Sequence, residues 1–228
     1  MWTRSEVKAK GKDSFKRNYW PSVFVAIIYY LFYVATGSVS RNGASSEEVS
    51  QEFTNDPDAI RFVLAVLAVI GVVLIVIKLV DLFLLNPLEV GCNRFFLVNQ
   101  DEKARLSEMG HTFKNNYGAA VLGLFLRDLF IGIGVLLFIV PGLILSYSYR
   151  MVPYILAEDR EISATEALKR SREMMKGQKW SSFVYDISFI LWDLLSLITF
   201  GIVAVLYVRP YKLNADAALY QAIKRGRN

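Results

Sequence analysis

The stretch FVLAVLAVIGVVLIVIKLVDLFLL, Phe62 to Leu85, is apolar apart from Lys78 and Asp81. As a helix rising about 1.5 Å per residue it reaches across a hydrocarbon core of roughly 30 Å. Trp20–Val39 is a second run of the same kind. No small-residue cleavage site follows it and the basic stretch before it is long, so a retained span is expected rather than a signal peptide. The chain is 54% hydrophobic and 14% aromatic, with a mean hydropathy of +0.34, above the usual balance of a soluble domain.

The net charge of +5 raises nucleic acid as a partner. The basic residues, however, flank the apolar runs and do not cluster with stacking aromatics, which fits the positive-inside bias of membrane proteins. No nucleic acid is expected. One cysteine and one histidine exclude an internal disulfide framework, a thiolate-rich metal site and two-histidine zinc signatures. With no glycine-rich phosphate loop either, no cofactor and no metal are expected.

A longer apolar region, about Tyr117 to Ala157, contains IVPGLILSYSYRMVPY (Ile139–Tyr154), with two prolines and Arg150. Every crossing should be helical, because lipid cannot satisfy open backbone groups. One crossing would place Arg160, Lys169, Arg170, Arg172, Lys176 and Lys179 outside, against the positive-inside rule. Two crossings keep them in the cytoplasm. The turn is expected at Val140-Pro141-Gly142, with proline in the first turn of the returning helix and glycine easing the bend. Ser181–Tyr211 divides in the same way at Thr199-Phe200-Gly201.

The expectation is an all-α, polytopic membrane protein with six spans in three hairpins: about 20–39, 62–85, 118–139, 142–157, 181–198 and 202–218. Both termini are then cytoplasmic. The parts assigned to that side, 1–19, 86–116, 158–180 and 209–228, carry 21 of the 26 Lys and Arg residues. Ser40–Ile60 becomes an acidic extracytoplasmic loop.

A threefold internal repeat is expected within this single domain, about 1–99, 100–160 and 161–228. DSFKRNYWPSVF (13–24), HTFKNNYGAAVL (111–122) and EMMKGQKWSSFV (173–184) align without gaps. Each has a bulky apolar residue, then Lys16, Lys114 or Lys176, then a polar bend into a span. A charged segment of helical character precedes each. Leu106, Met109, Gly110 and Phe113 share one helical face, as do Ala164, Ala167, Leu168 and Ser171. Ser163 with Glu166 forms a capping-box signature. Each returning helix is expected to end around a proline: Pro87, Pro153 and Pro210. The unit reads as an amphipathic helix at the headgroup boundary followed by a hairpin, with Trp20 and Trp180 as interfacial anchors.

The block PGLILSYSYRMVPYILAED (141–159) followed by ISATEALKRSREMMKGQKW (162–180) resembles the bacterial membrane-protein family catalogued as domain of unknown function nine-seven-five. MWTRSEVKAKGKDSFKRNYW resembles that family's opening and PYKLNADAALYQAI its close. A weaker likeness extends to the membrane portion of some glycerophosphodiester phosphodiesterases. The resemblance implies a multi-pass protein of the bacterial cytoplasmic (inner) membrane, and it supplies no activity or catalytic residues.

Seven ionisable residues fall in the expected spans: Lys78, Asp81, Arg127, Asp128, Arg150, Asp186 and Asp193. A charge at mid-bilayer costs roughly 2.5–3.5 kcal/mol on insertion scales, so partners are expected. Lys78 and Asp81, three apart, pair on one helix. Matching depth pairs Arg150 with Asp186, and puts Arg127 with Asp193 and Asp128 in a second cluster. These pairs either fix helix register or line a hydrated or lipid-headgroup pocket. Asp186 and Asp193, seven apart, lack the two-helix arrangement and glycine motif of membrane aspartyl proteases, so catalysis is not expected. The chain is therefore expected to be non-enzymatic. Its partners are membrane lipids, chiefly anionic, bound by Lys16, Lys114, Lys169, Arg170, Arg172 and Lys176, or another membrane protein or peptide. The alternative is a small transporter or an export or immunity accessory for an amphipathic peptide or small molecule.

Overall fold

The computed structural model describes residues 2–39, 57–199 and 201–226. All regular elements among them are helical: α1 (Arg4–Arg17), α2 (Tyr19–Val39), α3 (Pro57–Val80), α4 (Asn86–Val98), α5 (His111–Lys114) and α6 (Tyr117–Leu137), then α7 (Ile139–Ser148), α8 (Val152–Glu158), α9 (Ala164–Met174), α10 (Lys179–Ile187), α11 (Ile190–Ile198) and α12 (Arg209–Arg225). Three stretches among the described residues are long and apolar enough to cross a membrane: Leu67–Val98, Tyr117–Leu137 and Ile139–Glu158. Of the acidic loop, residues 40–56 lie outside the described part, and Pro57–Ile60 already belong to α3.

Two of the three prolines, Pro87 and Pro210, do not end helices as expected. Asp81–Leu85 and Ala204–Val208 are π-turns, and the chain stays helical through them to Val98 and Arg225. Pro87 and Pro210 each sit at the second position after a π-turn, where a missing N–H is tolerated. The carbonyl that each proline leaves without its i+4 donor finds a tyrosine instead. Tyr117 Oη donates to the Phe83 carbonyl at 2.7 Å, and Tyr19 Oη to the Leu206 carbonyl at 3.1 Å.

Other boundaries shift too. The α6–α7 turn is at Phe138, in extended backbone with φ −160° and ψ 145°, and Pro141 falls in the first turn of α7. Gly142 serves the crossing and not the bend: a Cβ there would lie 2.7 Å from the Val135 nitrogen. The expected span 142–157 is broken at Tyr149–Met151, and 181–198 at Ser188–Phe189. Around Thr199-Phe200-Gly201 the turn is where it was expected. Gly201 has φ +82°, and Phe200 lies outside the described residues.

Of the helical segments expected before each hairpin, α1 and α9 are full helices. Thr3 and Glu6 close a capping box on α1, and Ser163 Oγ accepts the Glu166 N–H at 3.3 Å on α9. The middle copy is only a 3₁₀ turn, Leu106–Gly110, running into the single turn of α5.

One core occupies the end of the molecule where α1, α4, α8, α9 and α12 meet. Phe15, Phe95, Phe96, Ile155, Met175 and Leu219 are fully buried there. Gly11 lets α1 lie directly on α12, since a Cβ would meet the Ala215 Cα at 2.5 Å. Buried amides join the same helices. Asn99 Nδ2 donates to Asn214 Oδ1 at 2.8 Å, and Asn18 Nδ2 donates to Asn99 Oδ1 at 2.9 Å. Paired in this way, the amides avoid the penalty of burial. Away from this core, α3, the α6–α7 tip, α11 and residues 202–206 turn large apolar side chains outward.

Candidate functional site: two charge clusters and a basic face

Arg150 lies in the break between α7 and α8. Pro153 prevents α7 from continuing, because it offers no N–H to the Tyr149 carbonyl. Ser171 of α9 bridges the gap: its Oγ accepts the Met151 N–H at 3.2 Å and donates to the Ser148 carbonyl at 2.9 Å. The guanidinium is thereby aimed at α10. It donates to both oxygens of Asp186, at 2.6 and 3.0 Å, and to Asp216 of α12 at 2.9 Å. Lys212 Nζ donates to Asp186 at 3.0 Å and to Asp216 at 3.2 Å. Tyr147 Oη is the third residue to donate to the Asp186 carboxylate, at Oδ2 and 3.0 Å.

Two cations thus face two carboxylates, and Tyr185 lies under both cations at 5.6 and 5.7 Å. Charge balance and bidentate geometry make this a clamp joining three helices. Asp186 already accepts from Arg150, Lys212 and Tyr147, so it has little capacity left for proton transfer.

Arg127 forms the second cluster. Its Nη1 donates to Glu89 of α4 at 2.7 Å and its Nε to Asp128 at 2.7 Å. The expected Arg127–Asp193 pair does not form. Asp193 lies 3.9 Å from Arg209 instead. Lys78 and Asp81 do meet, at 3.4 Å, with Lys78 73% exposed.

Reading the sequence missed Glu89, Lys212 and Asp216. Glu89 and Lys212 each stand two residues beyond a proline taken as a helix end, and Asp216 one turn beyond Lys212. A charge spaced helically after the proline was the available signal.

The basic residues split into two kinds. Arg170 approaches Asp159 at 3.6 Å, and Arg94 binds Glu108 at 2.8 Å. Lys16, Lys114, Lys169, Arg172 and Lys176 are exposed, as are Trp20 and Trp180, at 72% and 73%. At the same end Tyr220 Oη donates to Glu158 at 2.8 Å, and Lys224 reaches the same oxygen at 2.6 Å. Burial, and then the Glu158 carboxylate, push the Tyr220 pKa upward. His111 is shifted down, first by burial and then by Arg94. No cluster of His, Cys, Asp and Glu suited to a metal occurs among the described residues.

No curated protein and no solved structure matches the chain, so the likeness to glycerophosphodiester phosphodiesterases has no counterpart there. The protein family described as "Protein of unknown function (DUF975)" matches residues 125–227. That range holds the 141–180 block and the close of the chain, and leaves out the opening block. Arg127, Arg150, Asp186, Lys212 and Asp216 all fall within it, and Glu89 lies before it. Residues 125–227, which carry the four-residue charge clamp, are therefore similar to the family of unknown function DUF975.

Proposed function

We propose that the chain is a non-enzymatic bacterial inner-membrane protein that crosses the bilayer six times as three hairpins, keeps both termini in the cytoplasm and binds anionic lipid at the cytoplasmic headgroup level. One observation carries this reading: the partition of apolar surface. Leu64, Leu67, Val69, Val72, Ile75 and Val76 of α3 are each at least half exposed, and so are Leu136–Val140 at the α6–α7 tip. Val90, Phe95 and Phe96, farther along the α3–α4 helix, are fully buried. An apolar surface of that extent needs lipid or protein against it. The exposed cations and the two tryptophans suit the boundary where lipid gives way to water.

The threefold repeat is part of the proposal. Tyr19 and Tyr117 occupy the same place in the aligned blocks, and each caps the carbonyl freed by a proline on another repeat's returning helix. The alternative, a transporter or export accessory using the buried charges, is less well supported, because Arg127 and Arg150 both have carboxylate partners.

The test is lipid dependence. The purified chain in nanodiscs of phosphatidylglycerol is expected to melt several degrees higher than in nanodiscs of phosphatidylcholine, with the difference shrinking at high salt. Equal melting in the two lipids overturns the anionic-lipid reading. Labelling of residues 160–179 from outside intact cells overturns the topology.

A further inference from the structure

Two apolar grooves share a wall beside α9. The larger, about 1000 Å³, runs between Leu126 and Phe130 of α6, Ile144 and Leu145 of α7 and Leu168 of α9. The smaller, about 160 Å³, lies between Leu143, Tyr147, Trp180 and Phe183 and exposes only apolar surface. Ile144 and Lys179 line both.

Four cations, Lys169, Arg172, Lys176 and Lys179, surround the mouth of the larger groove with one carboxylate, Glu173. Lys169 and Arg172, three apart, lie on one side of α9, and Lys176 follows in the turn after it. Gly177, at φ +80°, then turns the chain so that α10 opens with Lys179 at the same mouth. Lys169, Arg172 and Lys179 form no ion pair among the described residues, unlike Arg94, Arg127, Arg150 and Arg170.

We propose that this paired groove seats one anionic diacyl phospholipid of the surrounding leaflet. The phosphate sits among Arg172, Lys176 and Lys179, and one acyl chain lies on each side of Ile144. The excess of cations supplies the charge complement, and the divided apolar floor supplies places for two chains. The inference rests on the membrane reading above and adds to it a defined site for one lipid molecule.

The experiment is native mass spectrometry of the full-length, detergent-solubilised chain titrated with phosphatidylglycerol, phosphatidylcholine or lysophosphatidylglycerol. One phosphatidylglycerol is expected to bind at least about tenfold more tightly than phosphatidylcholine, since each well-placed cation is worth roughly fivefold. The single-chain lysolipid is expected to bind more weakly than its diacyl parent. The variant R172Q/K176Q/K179Q should lose roughly tenfold or more of the phosphatidylglycerol affinity. The variant K12Q/K103Q/R105Q, with the same charge removed at exposed positions away from both grooves, should bind as the wild type does.

Unchanged binding by the first variant overturns the site, and so does lysolipid binding equal to diacyl binding. Equal loss in both variants also overturns it, by showing diffuse surface attraction, while leaving the proposed anionic-lipid function standing. That function is removed separately, by equal melting in the two kinds of nanodisc. Circular dichroism of each variant confirms the fold.

Discussion

α3 and α4 are one helix in two environments. From Leu64 to Val80 it presents valine, leucine and isoleucine to the outside, and a Cβ added at Gly71 meets nothing within 4 Å. From Asn86 onward the same axis is enclosed: Val90, Cys92, Phe95 and Phe96 are fully buried, and a Cβ at Gly91 would lie 1.9 Å from the Met109 carbonyl oxygen. The outer half is the more apolar of the two in sequence, and yet it is the less buried. The inner half is packed like a soluble core, whereas the outer half leaves its apolar side chains open and is long and apolar enough to cross a membrane. Hydrophobicity along a chain says that a side chain leaves water, and its neighbours decide what replaces the water.

The sharpest way to break this contrast is through charge. Arg150→Leu leaves the Asp186 and Asp216 carboxylates to share the one charge of Lys212, and should cost about 3–5 kcal/mol of unfolding free energy. Lys78→Leu, on the exposed half, should change stability by less than about 1 kcal/mol. Detergent-titrated unfolding in bicelles measures both, and equal effects would mean that the outer half is as enclosed as the inner one.

Backbone clearance gives the next test. Gly91→Ala forces α4 off the Met109 carbonyl and should destabilise by about 1–3 kcal/mol or more. Gly71→Ala should be neutral or stabilise by up to about 1 kcal/mol through helix propensity. The same unfolding assay compares them.

At the junction of the halves, Tyr117→Phe removes the donor to the Phe83 carbonyl and should cost about 1–3 kcal/mol, the range for a polar group left without a partner. A thermal melt in nanodiscs reads this, and an unchanged melt would show that the π-turn needs no cap.

The smallest effect should come from His111, whose Nε2 is buried without a partner among the described residues. Its folded pKa lies below the ordinary 6.5, so the unfolded chain takes up the proton first. The contribution is therefore complete above about pH 6.5 and is lost as pH falls through the lowered value. Stability measured from pH 7.5 to 5 should decline less in His111→Gln than in the wild type.

The pairing of Arg150 with Asp186 was legible because both lie at similar depth from the ends of their segments. Lys78 with Asp81 was legible because helical spacing alone brings them together. Arg127 was assigned the wrong partner for one physical reason. Pro87 and Pro210 were read as ends, so Glu89, Lys212 and Asp216 were not counted among the intramembrane charges. Each lost N–H is accommodated by a π-turn, and each orphaned carbonyl is capped by a tyrosine from another segment. The helix therefore continues and carries those charges onto the clusters. The break at Arg150 escaped for a related reason: Ser171, far along the chain, satisfies the backbone groups that the break leaves open.

By itself the sequence determined the helical class, the apolar runs and the charge bias, because these follow from local composition and from the backbone's need for hydrogen bonds. Which apolar face became core, which carboxylate met which arginine and whether a proline ended its helix were decided only in the tertiary structure. Those outcomes depend on donors and side chains brought from distant segments, and no local pattern specifies their arrival.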